Sequence, residues 1–254
     1  MKKTFLIIAV IGLVIMAFNE TENLENPEIQ NFKTVQFPSL DGIMISANIY
    51  EVSVNEPVIL LCHQARYNKY EYEDIAPKLN AKGFNCIAID QRSGGELRNH
   101  QNITHQNAIK KNKPTEYLDA EQDIIAAIDY VYKKYKIPII LWGSSYSSTL
   151  ALYIANNNEK IAAVVSFSPG NYFADQKGSL IDKMENFKKP MFVTSSKKEV
   201  QGVNKLLQKM KLNEKQVQFI PTGSGFHGSK ALWDGQKGGE EYWNAMDDFL
   251  NKIK

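Results

Sequence analysis

Residues 137–152 read IPIILWGSSYSSTLAL, and their reading decides the fold. Ile137-Pro138-Ile139-Ile140-Leu141-Trp142 is apolar without alternation and rich in β-branched residues, the pattern of a strand buried on both faces. Residues 148–155 read as a helix. Between the two stands Gly143-Ser144-Ser145-Tyr146-Ser147, a small-x-Ser-x-small pattern. A serine at the point of a sharp strand-to-helix turn is pushed out above the sheet, and small residues two positions away on either side let strand and helix approach. Centring the pattern on Ser144 would put Trp142 and Tyr146 at the small positions. Centring it on Ser145 puts Gly143 and Ser147 there. The start of the following helix adds positive potential where an oxyanion would form. By itself the motif is loose, and a serine-rich helix N-cap is the alternative. The rest of the chain decides between them.

The chain has 254 residues, enough for one α/β domain with a single core. Its 30 Lys and Arg against 28 Asp and Glu give a formal charge of +2, and no basic cluster with interleaved aromatics appears, so a nucleic-acid partner is not expected. Met1-Lys2-Lys3 is followed by an apolar run to Phe18 and then by Asn19-Glu20-Thr21-Glu22-Asn23, the pattern of a signal peptide. An apolar run of about 15 residues is short of the roughly 20 that a spanning helix needs. Ala17 suits the residue before a cleavage site, but Ile15 is not small, so a retained N-terminal membrane anchor is the alternative. The expected organisation is a signal peptide or anchor over 1–18, a polar tether over 19–31 and the folded domain over 32–254. That domain is expected outside the cytoplasmic membrane: periplasmic, secreted, or anchored to its outer side. Cys62 and Cys86 fall at opposite ends of two runs that read as parallel neighbouring strands. At roughly 3.3 Å per residue they stand more than about 10 Å apart, beyond the reach of a disulfide, and both are expected as buried free thiols.

Eight strands are expected: 32–37 and 43–50 around an Asp41-Gly42 turn, then 57–62, 84–90, 137–142, 162–167, 190–194 and 216–220. Helical spacing covers 70–82, 117–135, 148–155, 197–210 and 240–252; in the second, Ile124, Ile125, Ile128, Val131 and Tyr132 form one stripe. Residues 96–114 form a long polar excursion, a length that points to function. Its His100 and His105 do not share a helical face and have no third ligand near, so no metal site is expected. Residues 171–189 read as a small helical excursion over the strand ends. This alternation implies a mostly parallel sheet with helices on both faces and a minimal cap. Sites in such sheets lie at the carboxyl ends of the strands. Ser145, the loop from His63 and the residues after Thr194 all fall there.

A serine hydroxyl needs a base, and the base needs an orienting acid. His227 is the only histidine after Ser145, in the Gly-rich loop 223–228. Glu199, shortly after the strand at 190–194, is the expected acid; a helix first-turn carboxylate is the plainer reading of it, and Asp175 is its rival. The oxyanion is expected on the backbone N–H groups of Tyr146 and Ala65, with Gln64 in reserve. Arg66, Tyr67 and Tyr146 would border the substrate pocket.

With these residues in place the chain resembles the α/β-hydrolase superfamily and, within it, the dienelactone-hydrolase-like and small serine esterase branch. His63-Gln64-Ala65 stands where that family has His-Gly-x, and Asp90-Gln91-Arg92-Ser93-Gly94 where it has Asp-x-Arg-Gly-x-Gly. Gly143 to Ser147 is the elbow, Pro190 to Glu199 stands for an apolar strand followed by Gly-x-x-Asp, and Phe226-His227-Gly228 carries the histidine. The resemblance covers about residues 32–252. It implies an α/β fold with an eight-stranded, mostly parallel sheet. It also implies a serine hydrolase that needs no cofactor or metal and cleaves a small-to-medium carboxylic ester, or a related acyl or lactone substrate, through an acyl-enzyme. Gln64 and Ser147 depart from Gly, and Glu199 from the commoner Asp. The rival readings are an inactive ligand-binding protein of the same fold and a peptidase-like acyl hydrolase.

Overall fold

A computed structural model describes residues 32–254; the stretches expected as signal peptide or anchor (1–18) and as tether (19–31) lie outside the described residues. Eight strands, β1 (Lys33–Pro38), β2 (Met44–Tyr50), β3 (Val58–Cys62), β4 (Asn85–Ile89), β5 (Ile139–Ser144), β6 (Ile161–Phe167), β7 (Met191–Thr194) and β8 (Gln216–Phe219), form one sheet in the order β1-β2-β4-β3-β5-β6-β7-β8. β2 pairs antiparallel with both β1 and β4, and every other pairing is parallel. β3, β4 and β5 are buried along their whole length, which is why their sequences show no alternation. β1, mostly solvent-facing, is an edge and ends in Pro38, where a missing donor costs little.

Among the described residues eight α-helices cover the sheet: α1 (Ala76–Ala81), α2 (Ile103–Lys110), α3 (Glu121–Tyr135), α4 (Tyr146–Ala155), α5 (Ala174–Lys177), α6 (Leu180–Met184), α7 (Val200–Leu207) and α8 (Gly239–Ile253). Side chains of each strand alternate between the two layers. Val58, Leu60 and Cys62 of β3 pack with Ile124, Ile128 and Val131 of α3 and with Leu150 of α4. Ile59 and Leu61 pack on the other face with Leu79 of α1 and with Met246 and Phe249 of α8. Cys62 stands opposite Ile89 and Cys86 opposite Ile59 on the paired strands, so the two thiols are free as well as buried.

Two local differences from the sequence reading have clear causes. The run at 70–82 is one helical turn at Lys69–Tyr72 followed by the short α1, whose first turn holds Pro77, a residue with no N–H to continue a preceding helix. The polar excursion contains α2. Only Thr104 and Ala108 of α2 are buried, so no apolar stripe announces it, and its start is fixed by Asn102 accepting the His105 N–H.

Charged residues brace the loops at the carboxyl ends of the strands. Arg92, fully buried after β4, binds Asp123 of α3 at 2.7 Å and Asp41 of the β1–β2 turn at 2.8 Å. Lys69 and Asp90 form a second buried pair at 2.8 Å.

Candidate active site

β5 ends at Ser144 and α4 begins at Tyr146, so one residue makes the turn. Ser145 holds it with φ 59° and ψ −122°, a conformation costly for a side chain with a Cβ. The surroundings fix it. Its N–H donates to Phe167 O at 2.7 Å, and its carbonyl accepts from the Ser148 hydroxyl at 2.6 Å and the Ser148 N–H at 3.0 Å. A Cβ on Gly143 would lie 2.4 Å from Ser148 Cα, so strand and helix cross only because that residue is glycine. Ser147, where the resemblance leads one to expect glycine, fits because its hydroxyl is used: it accepts the Ser144 N–H at 2.9 Å and lies 2.8 Å from Cys62 O. Ser145 keeps 8 % of its surface accessible.

Beyond β7, Ser196 and Glu199 form a capping box ahead of α7. The Glu199 carboxylate does more than cap. Oε1 lies 2.5 Å from His227 Nδ1, while Oε2 accepts from the Ser168 hydroxyl at 3.1 Å and from the Ser196 N–H and hydroxyl. Burial alone would raise its pKa, but these hydrogen bonds and the charge of His227 outweigh burial and hold it at about 2. Nδ1–H of His227 is therefore the donor to an ionised carboxylate, and Nε2 is the nitrogen left for proton transfer. Asp175 sits in α5, and the imidazole nitrogen it would have to orient is already held by Glu199. Among the described residues no hydrogen bond joins Ser145 Oγ to His227. The Tyr172 phenol lies near Ser145, with its ring against Gly170. Burial, with Glu199 nearby, raises the pKa of that phenol.

The loop after β3 is equally constrained. The His63 N–H donates to Gln91 Oε1 at 2.8 Å, and His63 Nε2 accepts the Gln91 N–H at 2.9 Å, so Nδ1 carries the ring proton and donates to Gln64 O at 2.8 Å. Burial pulls the His63 pKa down to about 4, and the ring is a neutral strut. Gln64 does not serve as an oxyanion donor: its N–H is given to Glu71 Oε2 at 2.7 Å. The N–H groups of Ala65 and Tyr146 have no acceptor among the described residues. Arg66 is exposed at φ 66°, and the Tyr67 ring stacks on Trp233 with centroids 5.8 Å apart. The Tyr146 side chain does not border a pocket. It is buried, and its hydroxyl accepts from Gln91 Nε2 at 2.9 Å and lies 2.6 Å from Ser93 Oγ. A cavity of about 580 Å³ borders His227 beside Ser196, Phe226 and Lys230, and Ser145 does not line it.

Sequence reasoning missed Ser168, Tyr172 and Glu71. Ser168, beside Pro169 after β6, carries only the weak signal of a polar residue ending a buried strand. Tyr172 and Glu71 carry none, because each reaches the site through tertiary packing.

Comparison with known proteins bears on the fold that carries this site. A family model described as the alpha/beta hydrolase fold matches residues 57–250. The quorum-quenching protein AidA of Acinetobacter baumannii is 28% identical over 144 residues, which are 53% of this chain and 43% of that protein. The chain spans less than half the length of the curated relatives it matches. Among solved structures, the esterase Pf2001 of Pyrococcus furiosus superposes with a TM-score of 0.68 at 16% identity, covering 87% of this chain and 92% of that one. A dienelactone hydrolase of Anabaena variabilis gives 0.65 at 12% identity, covering 88% and 99%. At such identities the likeness is one of fold, and it joins the family match, the sheet order with its antiparallel second strand and the serine at the elbow. The chain belongs to the alpha/beta hydrolase fold family.

Proposed function

We propose that the protein is a serine hydrolase that cleaves a small-to-medium carboxylic ester, or a related acyl or lactone substrate. The observation that carries this reading is the Glu199–His227 bond at 2.5 Å, which orients the imidazole in the loop beyond β8, at the carboxyl ends of the strands where Ser145 stands. Ser145 Oγ attacks the substrate carbonyl as His227 Nε2 takes its proton. The carbonyl oxygen gains the negative charge and is received by the N–H groups of Ala65 and Tyr146, both preorganised and without another acceptor among the described residues. Collapse of the intermediate breaks the bond to the alkoxy oxygen, which leaves as the alcohol with the proton from His227. Water then attacks the Ser145 ester, with His227 again as base, and the acid is released. Glu199 stays ionised throughout and stabilises the imidazolium that forms twice in each turnover.

The first test is labelling with a fluorophosphonate followed by peptide mapping. The expected result is an adduct on Ser145 that disappears in His227→Ala. A folded chain that takes no label overturns the reading and favours an inactive ligand-binding protein of the same fold.

A further inference from the structure

Glu71 has no place in the reaction just described, yet its carboxylate is buried, at 0% exposure, among the three loops that carry it. Oε2 accepts the N–H of Gln64 in the loop after β3 at 2.7 Å. Oε1 accepts the hydroxyl of Ser144, the residue before the nucleophile, at 2.7 Å. Ser144 Oγ in turn accepts the N–H of Ser229, two residues beyond His227, at 2.8 Å. The backbone carbonyl of Glu71 takes the Trp233 indole N–H at 2.7 Å.

The consequence follows from peptide planarity. In a trans peptide the C=O and the next N–H point in opposite directions. The Gln64 carbonyl is held by His63 Nδ1–H and by the Tyr67 N–H at 3.2 Å, so the Ala65 N–H points away from them. Glu71 fixes the preceding peptide through the Gln64 N–H. The same carboxylate grips the elbow one residue before Ser145, so one side chain ties the loop that carries the Ala65 donor to the elbow that carries the Tyr146 donor. The link continues through Ser144 to the His227 loop, where a Cβ on Gly228 would stand 2.6 Å from Ser144 Oγ.

We propose that Glu71 is a positioning residue for ester hydrolysis, whose carboxylate locks the oxyanion loop, the nucleophile elbow and the histidine loop into one catalytic geometry. The proposal rests on the serine-hydrolase reading. The clamp is made by the ionised group. A proton on Oε2 would face the Gln64 N–H, and a proton on Oε1 would displace the Ser144 hydroxyl hydrogen from its acceptor. Burial pushes Glu71 up to about 7, against the hydrogen bonds from Ser144 and Gln64 and the charge of His227. The other titratable groups that face it are Cys62 of β3 and the phenols of Tyr67 and Tyr72, all held protonated by burial. Glu71 therefore loses its proton, and the clamp tightens, as pH rises through about 7.

The experiment compares the full chain with Glu71→Gln and Ser144→Ala, following ester hydrolysis and phosphonate labelling from about pH 5 to 9, with circular dichroism to establish folding. A misplacement of this kind is expected to lower kcat on the order of tenfold or more, with KM little changed because the oxyanion donors act in the transition state. In Glu71→Gln the rise of activity with pH should depend on one proton fewer than in the wild type. Folded Glu71→Gln with the kcat and pH profile of the wild type overturns the proposal. If Glu71→Gln does not fold, Ser144→Ala decides: it keeps the Glu71 charge and its bond to Gln64 but cuts the links to the elbow and, through Ser229, to the histidine loop, so an unchanged kcat overturns the proposal and a lowered one supports it. A labelled wild type with unaffected variants leaves the hydrolase reading standing and removes this one; a wild type that takes no label removes both.

Discussion

At the scale of single residues, Glu199 separates an orienting acid from a helix cap. Its Oε2 serves the cap through Ser196, while its Oε1 is given wholly to His227. Glu199→Gln keeps the shape and can still serve Ser196, but it removes the charge that opposes the imidazolium and offers the ring the wrong partner. A loss in kcat of about 10⁴ is expected, the magnitude seen when such an acid is made neutral in a related triad. Asp175→Asn should leave kcat within about twofold, since Asp175 has no share in the imidazole. Steady-state kinetics on the two variants checks this, and the reverse pattern would move the acid to Asp175. Ser145, His227 and Glu199 were legible in the sequence because each is tied to a local signal: an elbow, the last histidine, a carboxylate beyond a buried strand. Glu71 was not, since a charge between two tyrosines reads as surface until the fold closes over it.

At the scale of elements, the crossing of β5 and α4 has the least tolerance. The Cβ that Gly143→Ala introduces would meet backbone atoms of residues 147 and 148 at 2.4–2.5 Å, and backbone cannot rotate away as a side chain can. Overpacking of this kind costs about 1–3 kcal/mol. The variant should therefore unfold at lower urea with an unchanged slope and should also label slowly, because relieving the clash moves the elbow. A Gly143→Ala protein with the urea midpoint and labelling rate of the wild type would show that the crossing has slack. The strands were readable because burial on both faces leaves an unbroken apolar run, as in β3 and β5. The helices that escaped or were misplaced, α1 and α2, depend on a proline and an asparagine cap rather than on an apolar stripe.

At the scale of the whole molecule, stability against pH reflects buried groups whose shifts oppose one another. His63, pulled from 6.5 to about 4, binds a proton more readily when unfolded, so stability rises with pH between those values. Glu71, pushed from 4.5 up to about 7, holds a proton more readily when folded, so stability falls with pH across its own window. At 1.36 kcal/mol per pKa unit each effect amounts to about 3 kcal/mol, and they nearly cancel between about pH 4.5 and 6.5. Below that range nothing offsets the acids held low. Glu199 and Asp41, both at about 2, lose their hydrogen-bonded charge as pH falls, and stability drops with them. Urea unfolding of the wild type should thus show a plateau across about pH 4.5–6.5 and a steep acid limb below it. Glu71→Gln removes one of the two cancelling effects, so its stability should climb across the plateau, driven by His63 alone. Parallel curves for the two proteins would mean that Glu71 does not hold its proton to neutral pH in the fold. The clamp it makes with Gln64 and Ser144 would then already be closed throughout the acid range in which its loosening is expected.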